Sequence, residues 1–458
     1  MHTHPENQLE SEIRLLFVSH DLGGGVQCHL SQLKQLLEAK AQIATLQSQP
    51  GDFTMLSLGD RRWYFHQRKH YDDLVSLLRR LKLSRVHFHH LSGFDERFWQ
   101  LSEALEVPFC VTLHDFKLIN GSASLSDSNG FFLQNITEQS LPEHANLPTW
   151  CMNLQQWRPL VTAFLQGAEV VFCPSQFVVD VYRGHYPRAT YRQCFHPDWE
   201  QAVPYPPVKP AHGNGGILRV AVLGMLNQEK GADRLEACAM MARELGLAFE
   251  FLLFGRAYRQ LDESVKPMGP YEDQDIPALL KQNAIDLVWF PARWAESYSY
   301  TLSHCLEQGL AVMAPDIGAF AERMMHRPLS FIYAYKDSTD NVLRQLSEVK
   351  QQLQSIEQPV NWSGQPGLLS RDFLYARDYL TGVRGREVMT SLDLNAFDKF
   401  LAVPRRLQPN LLKIRLLKAL LKLGNWKYLS IVQKMIPYSI QKRLKRKLSH
   451  KPLHELDL

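Results

Sequence analysis

The sequence predicts an α/β protein built from two doubly wound halves that face a cleft. Three observations carry that prediction. Short apolar runs alternate with longer amphipathic stretches, as β-α-β units require, because parallel strands need crossover connections. The alternation halts in a segment dense in proline and glycine, His196 to Gly216, and then restarts. The chain, at 458 residues, is also too long for one ordinary domain.

The elements follow in order. Ile13 to Val18 (IRLLFV) reads as a buried strand, and a loop with Gly23, Gly24 and Gly25 leads into a helical pattern from about Val26 to Leu37. Arg85 to Phe88, Pro108 to Leu113 and Glu169 to Phe172 are the next strand-like runs. Lys117 to Pro148, rich in Ser, Asn and Gly, sits directly after a strand end, where loops that cover a site belong. Beyond the 196–216 linker, Leu218 to Leu223, Phe249 to Phe254, Asp286 to Phe290 and Leu310 to Ala314 read as strands. Gly231 to Leu245 has helical spacing. In sheets of this kind ligands bind beyond the carboxyl ends of the strands.

Composition narrows the class. Hydrophobic residues at 45% and charged residues at 21% suit a globular protein with two sizeable cores. The net charge of +4 conceals an asymmetry. Residues 404–458 hold fourteen Lys/Arg and two acidic residues, a local +12, which leaves −8 for the remainder. Seven scattered cysteines without a C-x-x-C pair suggest a reducing compartment. The N-terminal MHTHPENQLESE does not read as a signal peptide, and no run of 18 apolar residues occurs. The expected setting is therefore cytoplasmic.

Several motifs could carry chemistry. Gly23-Gly24-Gly25 follows a strand and opens a helix, where backbone approaches a ligand closely and the helix N-terminus favours an anion. A tight strand–helix turn explains the same residues, which form neither G-x-G-x-x-G nor a P-loop. His114-Asp115 ends a strand, so His114 either meets a sugar hydroxyl at the sheet edge or is structural. His87, His89 and His90 offer an H-x-H spacing, but no fourth metal ligand is evident. Capping and surface roles are expected there, and no metal site is assigned. In GMLNQEKG, Lys230 at a helix start could neutralise a diphosphate, or be a solvated first-turn lysine. The densest segment runs from Phe290 to Phe320. Glu296 sits in a loop after a strand, SYSYT opens a helix to about Glu307, and Gly309 ends it. A carboxylate there can accept two hydrogen bonds from vicinal hydroxyls while backbone N–H groups hold phosphate.

Four segments, LLFVSHDLGGGVQCHL, VTLHD, LGMLNQEKGAD and ARWAESYSYTLSHCLEQGLAVMAPDIGAF, appear in an order and spacing that are specific together. Over roughly residues 13 to 382 the chain resembles glycosyltransferase family 4, of the GT-B class. The nearest look is to bacterial members acting on lipopolysaccharide or exopolysaccharide. The resemblance implies an N-terminal Rossmann-like acceptor domain (1–195), a linker (196–216) and a Rossmann-like nucleotide-sugar domain (217–360). C-terminal helices (361–403) would cross back to the first domain. It implies that Gly24 and Gly25 line the cleft, that His114 contacts the transferred sugar and that Lys230 binds the diphosphate. Glu296, as the first Glu of an E-x7-E motif, would hold the sugar ring. Tyr298, Ser299, Tyr300 and Thr301 would present amides to phosphate, with Gly224, Gly255 and His304 completing the donor site. Catalytic roles then fall to Glu296, His114 and Lys230. The implied reaction is retaining hexosyl transfer from a UDP- or GDP-linked sugar to a glycan or lipid-linked acceptor, without metal or other cofactor.

Two departures stand out. His304 occupies the place of the second Glu of E-x7-E, which holds ribose in the family. Met225 replaces the arginine often paired with the lysine. They motivate a non-catalytic binding or scaffold subunit as an alternative, beside a GT-B nucleotide-sugar epimerase. The tail from Asn410, NLLKIRLLKALLKLG, places Arg415, Lys418 and Lys422 on one helical face opposite most of its leucines. Such a helix suits an anionic membrane surface, or else packs its leucines on the body. No motif accompanies it for nucleic acid.

Overall fold

The computed structural model describes residues 10–134, 147–151, 153–201, 206–209, 211, 215–362, 373–388 and 394–407. The basic tail beyond residue 407 therefore lies outside the described residues.

The first half is an eight-stranded sheet. Its order is Arg61–His66, Phe53–Leu58, Gln42–Gln49, Arg14–His20, Arg85–Phe88, Phe109–Thr112, Val171–Cys173, Tyr191–Gln193. Six of these strands run parallel. Phe53–Leu58 and Arg61–His66 pair antiparallel as an edge meander. The second half is a six-stranded parallel sheet. Its order is Val265–Gly269, Phe249–Ala257, Leu218–Leu226, Leu287–Trp289, Ala311–Pro315, Ser330–Tyr333. In each sheet the first long strand lies inside, with crossovers to both sides. That is the doubly wound order, and it opens a crevice at its carboxyl edge.

Period-2 alternation inside buried strands builds two cores per sheet. Leu16 and Val18 face one cluster, while Leu15 and Phe17 face the other. Val220 and Val222 likewise separate from Ala221 and Leu223. Each fully buried large apolar side chain contributes roughly 1.5–3 kcal/mol. The core on one face of the first sheet is completed from far along the chain: Phe373, Tyr375 and Tyr379 pack on Leu15, Phe17 and Leu33. Strand Arg386–Val388 also pairs antiparallel with Glu10–Glu12.

The edge meander is absent from the sequence reading. Its signals are two turns, Pro50-Gly51-Asp52 and Gly59-Asp60, with Gly51, Asp52 and Gly59 at positive φ. The 196–216 segment also begins differently from a plain linker. Pro197–Gln201 is a short helix, and His196 before it is buried. Among the described residues no helix is long and apolar enough to cross a membrane.

Candidate active site

The carboxyl-edge loops of the two sheets meet. Ser297 Oγ donates to the His114 carbonyl at 2.5 Å, and Tyr300 OH donates to Gln32 Oε1 at 3.1 Å. Phe132 N–H donates to the Arg293 carbonyl at 3.0 Å, and Gln176 N–H donates to both Glu322 carboxylate oxygens. Part of the Lys117–Pro148 stretch thus reaches the second domain, with Phe131 under the Arg293 guanidinium at 4.9 Å. Residues 135–146 of that stretch lie outside the described residues.

Lys230 and Glu296, distant in sequence, form an ion pair with Nζ 3.2 Å from Oε1. Lys230 is set by its backbone N–H, which donates to Asn227 Oδ1 at 2.7 Å, and its ammonium lies 5.7 Å from the Trp294 ring centre. A half-exposed pair like this adds at most about 1 kcal/mol to stability. Its consequence is positional: a cation and a carboxylate are held side by side at the mouth of the cleft. The Glu296 loop is locked by Gly318, whose φ is +73°. The Ala319 N–H donates to the Glu296 carbonyl at 2.8 Å, and a Cβ on Gly318 would lie 2.5 Å from that oxygen.

Helix Tyr300–Glu307 opens beside this pair. Its N-cap Ser299 holds φ +73°, uncommon for a residue with a side chain, and its Oγ accepts from Leu302 N–H at 3.3 Å. Arg323, buried, enforces that turn. It donates to the carbonyls of Tyr298 and Ser299 at 2.9 and 2.7 Å and to Ser303 Oγ at 2.8 Å. Its guanidinium stacks 3.8 Å from the Tyr298 ring centre. The amides of Tyr300 and Thr301 have no acceptor among the described residues, so the first turn keeps free donors for an anion. Asp198, from the linker helix, accepts from Tyr298 OH at 2.7 Å and Ser303 Oγ at 2.5 Å.

Gly24 and Gly25 are exposed at the start of helix Gly24–Leu37, and a Cβ on Gly25 would lie 3.6 Å from the Tyr300 ring. Gly224 and Gly255 are register partners on neighbouring strands. A Cβ on Gly255 would lie 2.1 Å from the Gly224 carbonyl oxygen, so that position excludes any side chain. His304 faces Glu307 one turn along, Nδ1 to Oε2 3.6 Å, and that carboxylate raises the His304 pKa.

The histidines depart most from expectation. His87 and His89 are buried rather than superficial. His87 is bonded on both nitrogens, to Tyr379 OH at 2.6 Å and Thr112 Oγ1 at 2.7 Å. His90 takes Ser92 N–H on Nδ1 and Asp115 on Nε2. His114 Nε2 is 3.4 Å from His89 Nδ1, and burial holds both rings well below the ordinary histidine pKa. A cavity of about 310 Å³ opens beside His89, His114 and Asp115, with Trp99, Trp157 and Phe164 among its walls. Lys230 and Glu296 do not line it.

The predicted residues Lys230, Glu296, His114, Gly25 and the Tyr298–Thr301 turn thus gather along one cleft. Gly224 and Gly255 stand at the second sheet's carboxyl edge. Sequence reasoning missed Arg323 and Asp198, and also the buried imidazoles of His29 and His196, whose ring centres lie 4.3 Å apart. Arg323 and Asp198 act through backbone and hydroxyl contacts that no spacing rule marks. His29 lies on the apolar stripe of its helix with Leu30, Leu33 and Leu37.

No family model and no curated protein sequence matches the chain. Solved structures match it in fold. A sucrose-phosphate synthase from Thermosynechococcus elongatus superposes with a TM-score of 0.52 at 14% identity, over 82% of this chain and 95% of that one. The lipopolysaccharide outer core galactosyltransferase WaaB, in its apo form, gives 0.50 at 12% identity over 80% and 98%. A glycosyltransferase from Rickettsia africae gives 0.50 at 12% identity over 75% and 92%. The chain therefore has the GT-B fold, two Rossmann-like domains facing a cleft.

Proposed function

We propose that the protein is a retaining glycosyltransferase that moves a hexosyl group from a UDP- or GDP-linked sugar to a glycan or lipid-linked saccharide. The observation that carries this reading is the Lys230–Glu296 pair beside the free first-turn amides of helix Tyr300–Glu307, with His114 tied to the same loop through Ser297. Cation and amides suit a diphosphate, and a carboxylate beside them suits sugar hydroxyls. Donor thus binds mainly to the second domain. The cavity beside His114, with aromatic walls and a polar rim, suits an acceptor on the first.

In the proposed step the bond from the anomeric carbon to the diphosphate oxygen breaks. The acceptor oxygen attacks from the same face, and its proton passes to the departing diphosphate. Lys230 and the amides stabilise the charge that develops there, a kind of interaction whose removal typically costs about 10²–10³ in rate. Glu296 and His114 hold the sugar, and no metal takes part in the transfer. Membership of glycosyltransferase family 4, a role in cell-surface polysaccharide synthesis and a cytoplasmic site with peripheral membrane contact through the tail belong to the same proposal.

A non-catalytic donor-binding subunit is favoured by one observation: Glu307, the nearest carboxylate to the missing ribose ligand, is paired with His304. Turnover separates the readings. Purified protein is expected to hydrolyse or transfer a nucleotide sugar with retained anomeric configuration by NMR, and Glu296→Ala to lose at least about 10²-fold in kcat. Binding without turnover supports the subunit reading, and inverted free sugar released without acceptor supports an epimerase. Neither binding nor turnover of any nucleotide sugar contradicts the proposal.

A further inference from the structure

Four imidazoles converge behind the acceptor cavity. His29 comes from the buried stripe of helix Gly24–Leu37, His89 and His114 from the ends of two neighbouring strands, and His196 from the segment before the linker helix. One ring nitrogen from each of His29, His89 and His114 lies within 4.8 Å of the others. The His196 ring centre is 4.3 Å from that of His29 and 5.5 Å from that of His114.

Several of their nitrogens lack a partner among the described residues. Both nitrogens of fully buried His29, Nε2 of His89 and Nδ1 of His196 make no hydrogen bond with any described residue. Each such atom buried alone costs roughly 1–3 kcal/mol, and an ion, which takes one nitrogen per ring, relieves at most one on each of them. The rings cannot satisfy one another. The one nitrogen–nitrogen contact among them, His114 to His89 at 3.4 Å, is long for a hydrogen bond. It does match the spacing of two nitrogens on a tetrahedral metal, about 3.4 Å for bonds of 2.0–2.1 Å. His87 stacks on His89 with centres 3.9 Å apart and, with both its nitrogens engaged, fixes the orientation of that ring.

We infer that His29, His89 and His114, with the His196 ring packed beside His29 and His114, form a binding site for a divalent transition metal of the zinc class. An all-imidazole donor set without carboxylate suits Zn²⁺, Co²⁺, Ni²⁺ or Cu²⁺ and not Mg²⁺ or Ca²⁺. Burial keeps the rings neutral, His29 being pushed down to about 3, and neutral imidazole is the form that ligates. The site has a consequence that rests on the proposed donor role of His114. A bound metal holds that ring away from the sugar, so the ion acts as an inhibitor that competes for one shared histidine.

The test uses the full chain, stripped with a chelator and titrated with Zn²⁺ against a chromophoric competitor. One equivalent is expected to bind. His29→Gln and His89→Gln are each expected to weaken it at least ~10-fold, the lower range for losing even an outer-shell partner. The surface variant His326→Gln should leave it unchanged. X-ray absorption of the zinc-loaded wild type keeps the inference testable if a variant misfolds: three or four imidazole nitrogens at about 2.0–2.1 Å are expected. Absence of uptake, equal affinity in the His29 and His89 variants, or oxygen- or sulfur-dominated ligation overturns the site. Because titration needs no sugar nucleotide, a failure of the transferase reading leaves this result standing. Zinc inhibition absent from a turning-over, metal-loaded enzyme overturns only the sharing of His114.

Discussion

Lys230 and Glu296 neutralise each other across 3.2 Å, and on the proposed reading a donor binds beside this pair and the amides of Tyr300 and Thr301. Their placement depends on Gly318, because only a residue without Cβ lets the Glu296 carbonyl approach. Gly318→Ala is therefore expected to cost about 1–3 kcal/mol of stability through a left-handed backbone and an overpacked contact. It should lower kcat more than a control change of equal ΔΔG elsewhere. Chemical denaturation and steady-state kinetics on one preparation check this, and unchanged values would contradict the locking role. At this scale the sequence singles out Lys230, Glu296 and His114 because each follows a strand end within a motif, and the structure brings Lys230 to Glu296 and the His114 carbonyl to Ser297. Arg323, Asp198 and His29 were not legible. Arg323 and Asp198 work by reaching across the fold to main-chain or hydroxyl groups, and His29 occupies a position that reads as core.

Among elements, the parallel strands were legible because both their faces are buried and their apolar runs are short and continuous. The antiparallel meander at the edge was not. Its half-buried strands carry polar residues, and only its turns betray it. One element contact across the cleft is set by pH. Glu322, on helix Ala319–Arg323, caps helix Gln176–His185 of the first domain through two carboxylate oxygens on the Gln176 N–H. Burial raises this carboxyl from an ordinary 4.5 to about 7. The folded state thus favours the protonated form, so the contribution is fully present below pH 4.5 and is lost as pH rises to about 7. Glu322→Gln, neutral throughout, should gain stability relative to wild type across that window and keep a constant difference above it. At 1.36 kcal/mol per unit the gain is at most about 3.4 kcal/mol. Thermal unfolding of both proteins from pH 4.5 to 8 checks it, and parallel profiles would contradict the assigned shift.

For the molecule as a whole, the alternation of elements foretold two doubly wound domains, and their meeting at the carboxyl edges is what forms a cleft. The return of Phe373, Tyr375 and Tyr379 onto the first sheet has no local signature, because their partners Leu15, Phe17 and Leu33 lie more than 300 residues away. The +12 tail follows that return and supplies the charge that the −8 body lacks. On the proposed membrane reading, each cation near an anionic surface contributes on the order of 1 kcal/mol. Protein truncated after residue 407 should then lose flotation with anionic liposomes and keep its turnover of soluble donor. Unchanged flotation would contradict the docking role.

Binding of a nucleoside diphosphate is the most direct test of the central claim, since the Lys230–Glu296 pair and the helix amides are read as a diphosphate site. Calorimetric titration of the wild type with UDP and GDP should show one site for at least one of them. Lys230→Ala should weaken it by roughly 1.5–3 kcal/mol, the range for a charge-assisted hydrogen bond, or about 10- to 150-fold. No binding of either, or equal affinity in the wild type and the Lys230 variant, would contradict the account.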